Sequence, residues 1–165
     1  MTDNKIFIDY QNDTGREPFD LEAKAYEVLN KALDLSGCPY PCRVSLLITD
    51  GPGIREYNKN TRGIDEETDV LSYPALEYEK PSDFSGISEG DPLLFDLDAD
   101  PARLILGDIL INMDRISEQA KTLGHSPEYE FCYMTAHSAL HLLGWDHADD
   151  EEEKSMTEET LRIVS

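Results

Sequence analysis

Three histidines lie close together near the C-terminus of this 165-residue chain, in the pattern H-x-x-x-H-x-x-G-x-x-H. His137 and His141 are four residues apart, so on a helix they project from the same face, one turn apart. Gly144 can adopt the left-handed conformation that ends a helix, which would turn His147 back toward the other two. Three imidazoles around one point are typical of a catalytic zinc site, because the fourth tetrahedral position stays open for water.

This pattern predicts one Zn²⁺ per chain, bound by His137, His141 and His147 on a helix and turn near the C-terminus. The same spacing occurs in the metzincin proteases, where a glutamate directly after the first histidine is the general base. Here that position is Ser138, which cannot act as a base at neutral pH. A zinc metallopeptidase is therefore the second choice among the possible enzymes.

The charge of the chain opposes general binding to phosphates. The sequence has 35 acidic and 14 basic residues, a formal net charge of −21, so its overall field repels nucleic-acid backbones and anionic membranes. Residues 75–103 and 146–162 each contain eight acidic and two basic residues. Residues 43–62 contain four basic and two acidic ones. The acidity thus excludes broad phosphate binding but permits one small cleft near residue 62, to which a bound metal ion adds positive charge.

Cellular location can be argued from the apolar runs and the cysteines. The N-terminus lacks the pattern of a signal peptide, and the apolar runs are too short to cross a bilayer, so we expect a cytoplasmic protein with no membrane partner. Cys38, Cys42 and Cys132 are few and odd in number, as expected in a reducing compartment. Because Cys38 and Cys42 lack a second ligand pair, we interpret them as core residues rather than a metal or redox site.

The elements that must position these residues follow from hydrophobic periodicity and capping signals. Strands are predicted over residues 5–10, 43–49, 70–73 and 104–111. Helices are predicted between Asp20 and Gly37, over 52–61 and 115–123, between Ser126 and Gly144, and over 150–163. Residues 75–103, rich in Pro, Gly and acidic residues, are expected to form a long irregular excursion. We predict one α+β domain over 1–165, with a small mixed sheet and about five helices.

Three blocks of the sequence together resemble the YbeY family of metal-dependent endoribonucleases. The blocks are residues 58–74, residues 106–109 and residues 136–147, and the resemblance covers most of residues 44–163. The histidine block of the family usually reads H-G-x-L-H-L-x-G-Y-D-H. This chain has Ser138 in place of the glycine and Trp145 in place of the tyrosine, and its acidic segment 75–103 looks expanded.

The resemblance implies a zinc-dependent, single-strand-specific endoribonuclease. Such an enzyme acts in rRNA processing, in 16S rRNA 3′-end maturation and in ribosome quality control. Its partners would be a ribosomal RNA precursor and proteins of the small ribosomal subunit. An arginine that lines the family's cleft maps onto Arg62, whose guanidinium can clamp two phosphate oxygens as charge builds on them. The sequence leaves open whether the attacking oxygen belongs to a metal-bound hydroxide or to the RNA 2′-hydroxyl.

Further residues near the blocks are weaker candidates. Asp146 adjoins a ligand and either orients an imidazole or is a solvated turn residue. Asp69 and Ser72 are candidates to line the cleft. Tyr73 or Trp145 could stack on a base, although we expect both in the core. A third, non-catalytic hypothesis is a ribosome-assembly factor with a structural metal.

Overall fold

The computed structural model describes residues 5–165. In chain order these form β1 (Ile6–Asn12), α1 (Leu21–Ser36), β2 (Cys42–Thr49), α2 (Gly51–Arg62), β3 (Val70–Pro74), β4 (Phe95–Asp96), β5 (Arg103–Asn112), α3 (Met113–Leu123), α4 (Pro127–Leu142) and α5 (Asp150–Val164). The predicted α+β architecture with a mixed sheet and five helices is confirmed. None of the described helices is long and apolar enough to cross a membrane.

The sheet has the strand order β1-β2-β5-β3, with β4 paired to β5 off this path. Strands β1, β2 and β5 are parallel, and β3 runs antiparallel to β5 at the edge. The connection from β2 to β5 therefore contains α2, β3 and the whole acidic segment 75–103. Strand β4 was not predicted, because two residues are too few to produce a sequence period.

Helix ends follow the predicted capping signals. Asp20, Asp50 and Ser126 each cap a helix N-terminus by accepting a hydrogen bond from a backbone N–H three residues on. Helix α3 begins two residues earlier than predicted. The reason is that the side chain of Asn112 caps the helix by accepting hydrogen bonds from the backbone N–H groups of Asp114 and Arg115, in its first turn.

Helix α4 is the central element of the core. It packs against the sheet and against α1, α3 and α5. Its fully buried side chains include Phe131, Leu140 and Leu142. A helix surrounded on several sides leaves only one narrow face toward solvent, and that face carries His137 and His141, which are half-buried. The opposite side of the sheet is covered in part by α2, whose Ile54 packs against residues of β3 and β5.

The acidic segment 75–103 is irregular, as predicted, but it is packed onto the domain. Leu76 and Phe95 are buried in the main core, and the rings of Phe95 and Tyr40 meet edge to face at 5.3 Å. The backbone N–H of Ser82 donates to the carbonyl of Leu143 at 2.8 Å. This last contact brings the segment to the C-terminal end of α4, next to the histidines.

Candidate metal centre

The structure brings the three predicted histidines together. The ring centroids of His137 and His141 are 4.9 Å apart, those of His141 and His147 5.0 Å, and those of His137 and His147 5.7 Å. Their possible ligand atoms all lie within 4.8 Å of one another. Within residues 5–165 this is the only cluster of three or more such side chains that could hold a metal. His147 is exposed, so the cluster is open to solvent on one side.

A tight turn after α4 returns His147 to the helix. Gly144 has φ 94°, in the left-handed region, and its N–H donates to the carbonyl of His141 at 3.2 Å. A Cβ at this position would also come within 2.8 Å of the ring of Tyr78. Glycine is therefore needed here both for the backbone conformation and for space. We call residues 143–147 the metal-binding turn.

A backbone oxygen orients one of the imidazoles. The Nδ1 atom of His141 lies 3.1 Å from the carbonyl oxygen of Trp145. A carbonyl only accepts, so Nδ1 carries the proton and Nε2 is left with a lone pair for a metal. The sequence left two interpretations of Asp146, this role or that of a solvated turn residue. Its carboxylate instead accepts from the backbone N–H of His147 at 2.8 Å, which stabilises the turn itself.

The surroundings keep two of the three histidines, His137 and His141, uncharged. Burial, and then repulsion from His141 and His147, lowers the pKa of His137 to about 4. Burial and the neighbouring His147 also lower the pKa of His141 below its ordinary value. Both side chains are therefore neutral at pH 7, the form in which imidazole binds metals. Three nitrogen donors with an open side fit a divalent metal ion that keeps a free coordination position.

Arg62, the predicted cleft arginine, lies at the end of α2 beside β3. Its guanidinium donates through Nη2 to the carbonyl oxygen of Ser72 at 3.1 Å and lies 5.4 Å from the ring centroid of Tyr73. Its positive charge contributes to the lowered pKa of His141, so it acts within electrostatic range of the cluster. The side chain is exposed. Ser72 thus contributes its backbone carbonyl. Tyr73 packs against the small core cluster around Ile54, as expected, and its ring also contacts the guanidinium.

Asp69 is placed beside the histidines by the start of β3. One carboxylate oxygen accepts from the N–H of Val70 at 2.8 Å, and the other accepts from the side-chain amide of Gln119 at 3.3 Å. Together with His137 and His147 it lines a cavity of about 270 Å³ between α4 and α5. Asp69 therefore lies at the cluster, on the side of His137.

Two residues of the acidic segment also belong to these surroundings, and the sequence did not indicate them. The ring of Tyr78 packs on Gly144. The hydroxyl of Ser82 accepts from the indole N–H of Trp145 at 3.3 Å. No sequence period links these residues to the histidine block, because the contacts depend on how a long irregular segment folds back.

The paired cysteines lie elsewhere. Cys38 and Cys42 are both buried in the main core, with their Sγ atoms 3.5 Å apart. Neither belongs to the histidine cluster, which contains only imidazoles. Their position agrees with the interpretation of these cysteines as core residues.

Known proteins resemble this chain over nearly its whole length. Residues 7–165 match the family model described as Endoribonuclease YbeY. A relative of that name from Agathobacter rectalis is 42% identical over 146 residues, 88% of this chain and 87% of the relative. One from Lachnoclostridium phytofermentans is 40% identical over 146 residues with the same coverage.

A solved structure supports the fold. The solution structure of a Thermotoga maritima protein superposes with a TM-score of 0.61, covering 96% of this chain and 87% of that one. At 23% sequence identity this likeness concerns the fold alone. The family model, in contrast, spans the chain from β1 to the end of α5, including every residue of the histidine cluster. The chain therefore belongs to the YbeY family.

Proposed function

We propose that this chain is a zinc-dependent endoribonuclease that cleaves single-stranded RNA. The observation that carries the proposal is the cluster of three imidazoles, two of them held neutral by their surroundings, within electrostatic range of an exposed arginine. His137, His141 and His147 bind the metal, and Arg62 contacts the substrate. Relatives 40–42% identical that are named endoribonucleases support the same activity.

The metal and Arg62 have different tasks in this proposal. When bound, Zn²⁺ supplies a Lewis acid that polarises a phosphate oxygen or lowers the pKa of water. Arg62 contributes charge-assisted hydrogen bonds to the non-bridging oxygens, where negative charge builds during phosphodiester cleavage. The carbonyl of Ser72 accepts a hydrogen bond from one N–H of the guanidinium, and the guanidinium also contacts the Tyr73 ring. The side chain is thus held in place while its other donors remain available.

The histidines and their backbone contacts orient the metal ligands. Because Nδ1 of His141 donates to the Trp145 carbonyl, Nε2 of this ring is the ligand atom. The carboxylate of Asp146 holds the N–H of His147 and so stabilises the turn that carries the third ligand. These residues act by placing the nitrogen atoms that bind the metal.

The two alternatives have less support. A peptidase of the metzincin kind needs a carboxylate after the first histidine. Ser138 is fully buried, with a hydroxyl that has no hydrogen-bond partner within the described residues. A structural zinc site usually has four protein ligands. Among residues 5–165 the cluster offers three, and one of them is exposed. A non-catalytic ribosome-assembly factor is therefore the weaker hypothesis.

The biological setting is part of the same proposal. The whole chain works as one unit on a ribosomal RNA precursor in the cytoplasm, in 16S rRNA 3′-end maturation and ribosome quality control. Proteins of the small ribosomal subunit deliver the substrate. A net charge of −21 supports delivery by a partner, because the protein's own field opposes association with RNA.

Cleavage assays with two substrates test the proposal. Labelled single-stranded RNA and casein are incubated with the purified protein, with the chelated protein, and with the chelated protein after Zn²⁺ is restored. We expect RNA cleavage that is lost on chelation and regained with Zn²⁺, while casein stays intact. Survival of RNA with every divalent metal, combined with binding to pre-ribosomal particles, would overturn the nuclease in favour of the assembly factor.

A further inference from the structure

The cavity of about 270 Å³ beside the histidines has no role in the function proposed above. It lies between α4 and α5 and opens next to two of the metal ligands. A water molecule takes about 30 Å³ in the liquid, so the cavity has room for a group the size of a planar heterocycle. Its lining residues are Asp69, Tyr133, Met134, His137, His147, Glu153, Met156 and Thr157.

Part of the cavity lining is apolar and aromatic. Met134 and Met156 are buried and supply polarisable thioethers. Tyr133, on the turn of α4 before His137, is half-buried at the cavity. Burial raises the pKa of its phenol, so the ring is uncharged at neutral pH. An aromatic ring facing a cavity of this size is the kind of surface on which nucleobases stack.

The charged side chains of the cavity disfavour a phosphate inside it. Among the described residues, those that line it include the carboxylates Asp69 and Glu153 and neither Lys nor Arg. Carboxylates repel a phosphate but accept hydrogen bonds from N–H groups. The preferred occupant is therefore a neutral planar ring with donors on its edge, such as a nucleobase that carries an exocyclic amino group.

The cavity and the Arg62 contact both lie next to β3. Arg62 bonds to the backbone carbonyl of Ser72, in β3, whereas Asp69, directly before this strand, lines the cavity together with His137 and His147. Arg62 influences the pKa of His141, and Asp69 that of His137. A phosphate held by Arg62 and the metal would thus have the cavity next to it, within reach of the base of an adjoining nucleotide.

Aromatic side chains continue from the cavity along α4. Tyr129 lies one turn before Tyr133, with ring centroids 6.4 Å apart, and His125 lies 4.8 Å from Tyr129. Rings four residues apart share one helix face. The line of rings therefore leads from the metal ligands toward the N-terminus of α4, as a single strand of unpaired bases would require.

We propose that this cavity binds the base of an unpaired nucleotide next to the scissile phosphate, with Tyr133 stacking on it and the carboxylates favouring adenine, cytosine or guanine. The inference rests on the proposed nuclease function, because it assigns the cavity to the same substrate. It adds a source of affinity that needs no positive surface, since stacking is worth about 1–3 kcal/mol per base.

Abasic substrates test the stacking. RNA oligonucleotides with one abasic nucleotide, moved in steps across the cleavage site, are cleaved by wild type, Tyr133→Leu, Tyr133→Phe and the control Tyr10→Leu, on the far edge strand β1. We expect one abasic position to lower wild-type kcat/KM about tenfold or more. Tyr133→Leu should show a similar loss on intact RNA and little further loss on the abasic RNA. Tyr133→Phe and Tyr10→Leu should behave as wild type, and all variants should bind Zn²⁺ equally.

The outcomes separate this inference from the proposed function. RNA that is cleaved equally with and without each base would overturn the base-binding cavity and leave the nuclease intact. If no RNA is cleaved under any condition, the proposed nuclease function fails. Binding of the same labelled oligonucleotides, measured by fluorescence anisotropy, then tests whether the cavity binds a base. Weaker binding of one abasic oligonucleotide supports the cavity, and equal binding of all overturns it.

The preference for an amino group has its own test. Adenine at the sensitive position is replaced by purine, which lacks only the amino group. We expect a several-fold lower kcat/KM for purine with the wild-type protein, and a smaller difference with Glu153→Gln. Equal rates for adenine and purine in the wild-type protein would overturn the role of the carboxylates.

Discussion

The indole N–H of Trp145 donates a hydrogen bond to the hydroxyl of Ser82, at 3.3 Å and across 63 residues of sequence. The carbonyl of the same tryptophan accepts from Nδ1 of His141, and the N–H of Ser82 donates to the carbonyl of Leu143. The acidic segment 75–103 therefore holds the metal-binding turn at two points. Trp145 stands where the family usually has tyrosine, and its indole nitrogen makes one of these contacts.

We expect Ser82→Ala to weaken Zn²⁺ binding by about tenfold, because partners beyond the ligands typically contribute 10- to 100-fold to metal affinity. Competition with a chromophoric chelator measures the change. Trp145→Phe should have a similar effect, and the double variant should lose little more, since both changes remove the same hydrogen bond. Ser85→Ala, in the same segment but bonded only locally to Asp83, is the control. Unchanged zinc affinity in Ser82→Ala would show that the segment does not position the turn.

Metal binding and substrate contact should separate by mutation. His141→Ala is expected to lose both zinc and activity. Arg62→Ala should keep its zinc and lose activity by about 100-fold or more, as expected when a charge-stabilising donor is removed. Arg55→Ala, on the same helix and in an exposed ion pair with Asp65, is the matched control and should retain both. Metal analysis and RNA cleavage rates check each variant. Loss of zinc from Arg62→Ala would contradict this division of roles.

The metal-free protein should lose stability in mild acid. The pKa of His137 is lowered to about 4 in the folded state, against an ordinary value of 6.5. Protons therefore bind the unfolded chain more readily, and the free energy of unfolding falls as pH drops from 6.5, levelling near pH 4. The contribution of His137 to the free energy of unfolding is at most about 3.5 kcal/mol.

Urea unfolding of the chelated protein across this pH range measures that effect. His137→Gln, which cannot titrate, should lose less stability over the same interval, because all other groups are shared with the wild type. Identical pH slopes for the two proteins would contradict the lowered pKa.

Gly144→Ala should destabilise the fold and weaken zinc binding together. The residue has φ 94°, and an added Cβ would come within 2.8 Å of the Tyr78 ring, so both strain and a clash are expected. We expect the free energy of unfolding, measured by thermal unfolding, to fall by about 1–3 kcal/mol. Gly86→Ala, whose Cβ would meet no atom within 4 Å, is the control and should be neutral. A Gly144→Ala protein as stable as wild type would contradict the role of this turn.

Local sequence patterns were sufficient to predict much of the fold. The caps at Asp20, Asp50 and Ser126 act on backbone groups three residues away, and the spacing of His137 and His141 defines one helix face. These features were predictable because each depends on residues within about one helical turn. The histidine block was also sufficient to predict a metal site, since its candidate ligands are nearly contiguous, and three blocks together indicated the family.

Contacts between distant segments were decided only by the tertiary structure. The partner of His141 is a backbone carbonyl, which any residue type offers, so only the conformation of the turn could identify it and set aside Asp146. Ser82 reaches Trp145 because segment 75–103 folds back on α4. The cavity beside His137 exists because α5 packs across α4. The local sequence thus predicted the candidate metal ligands, whereas long-range packing determined what surrounds and orients them.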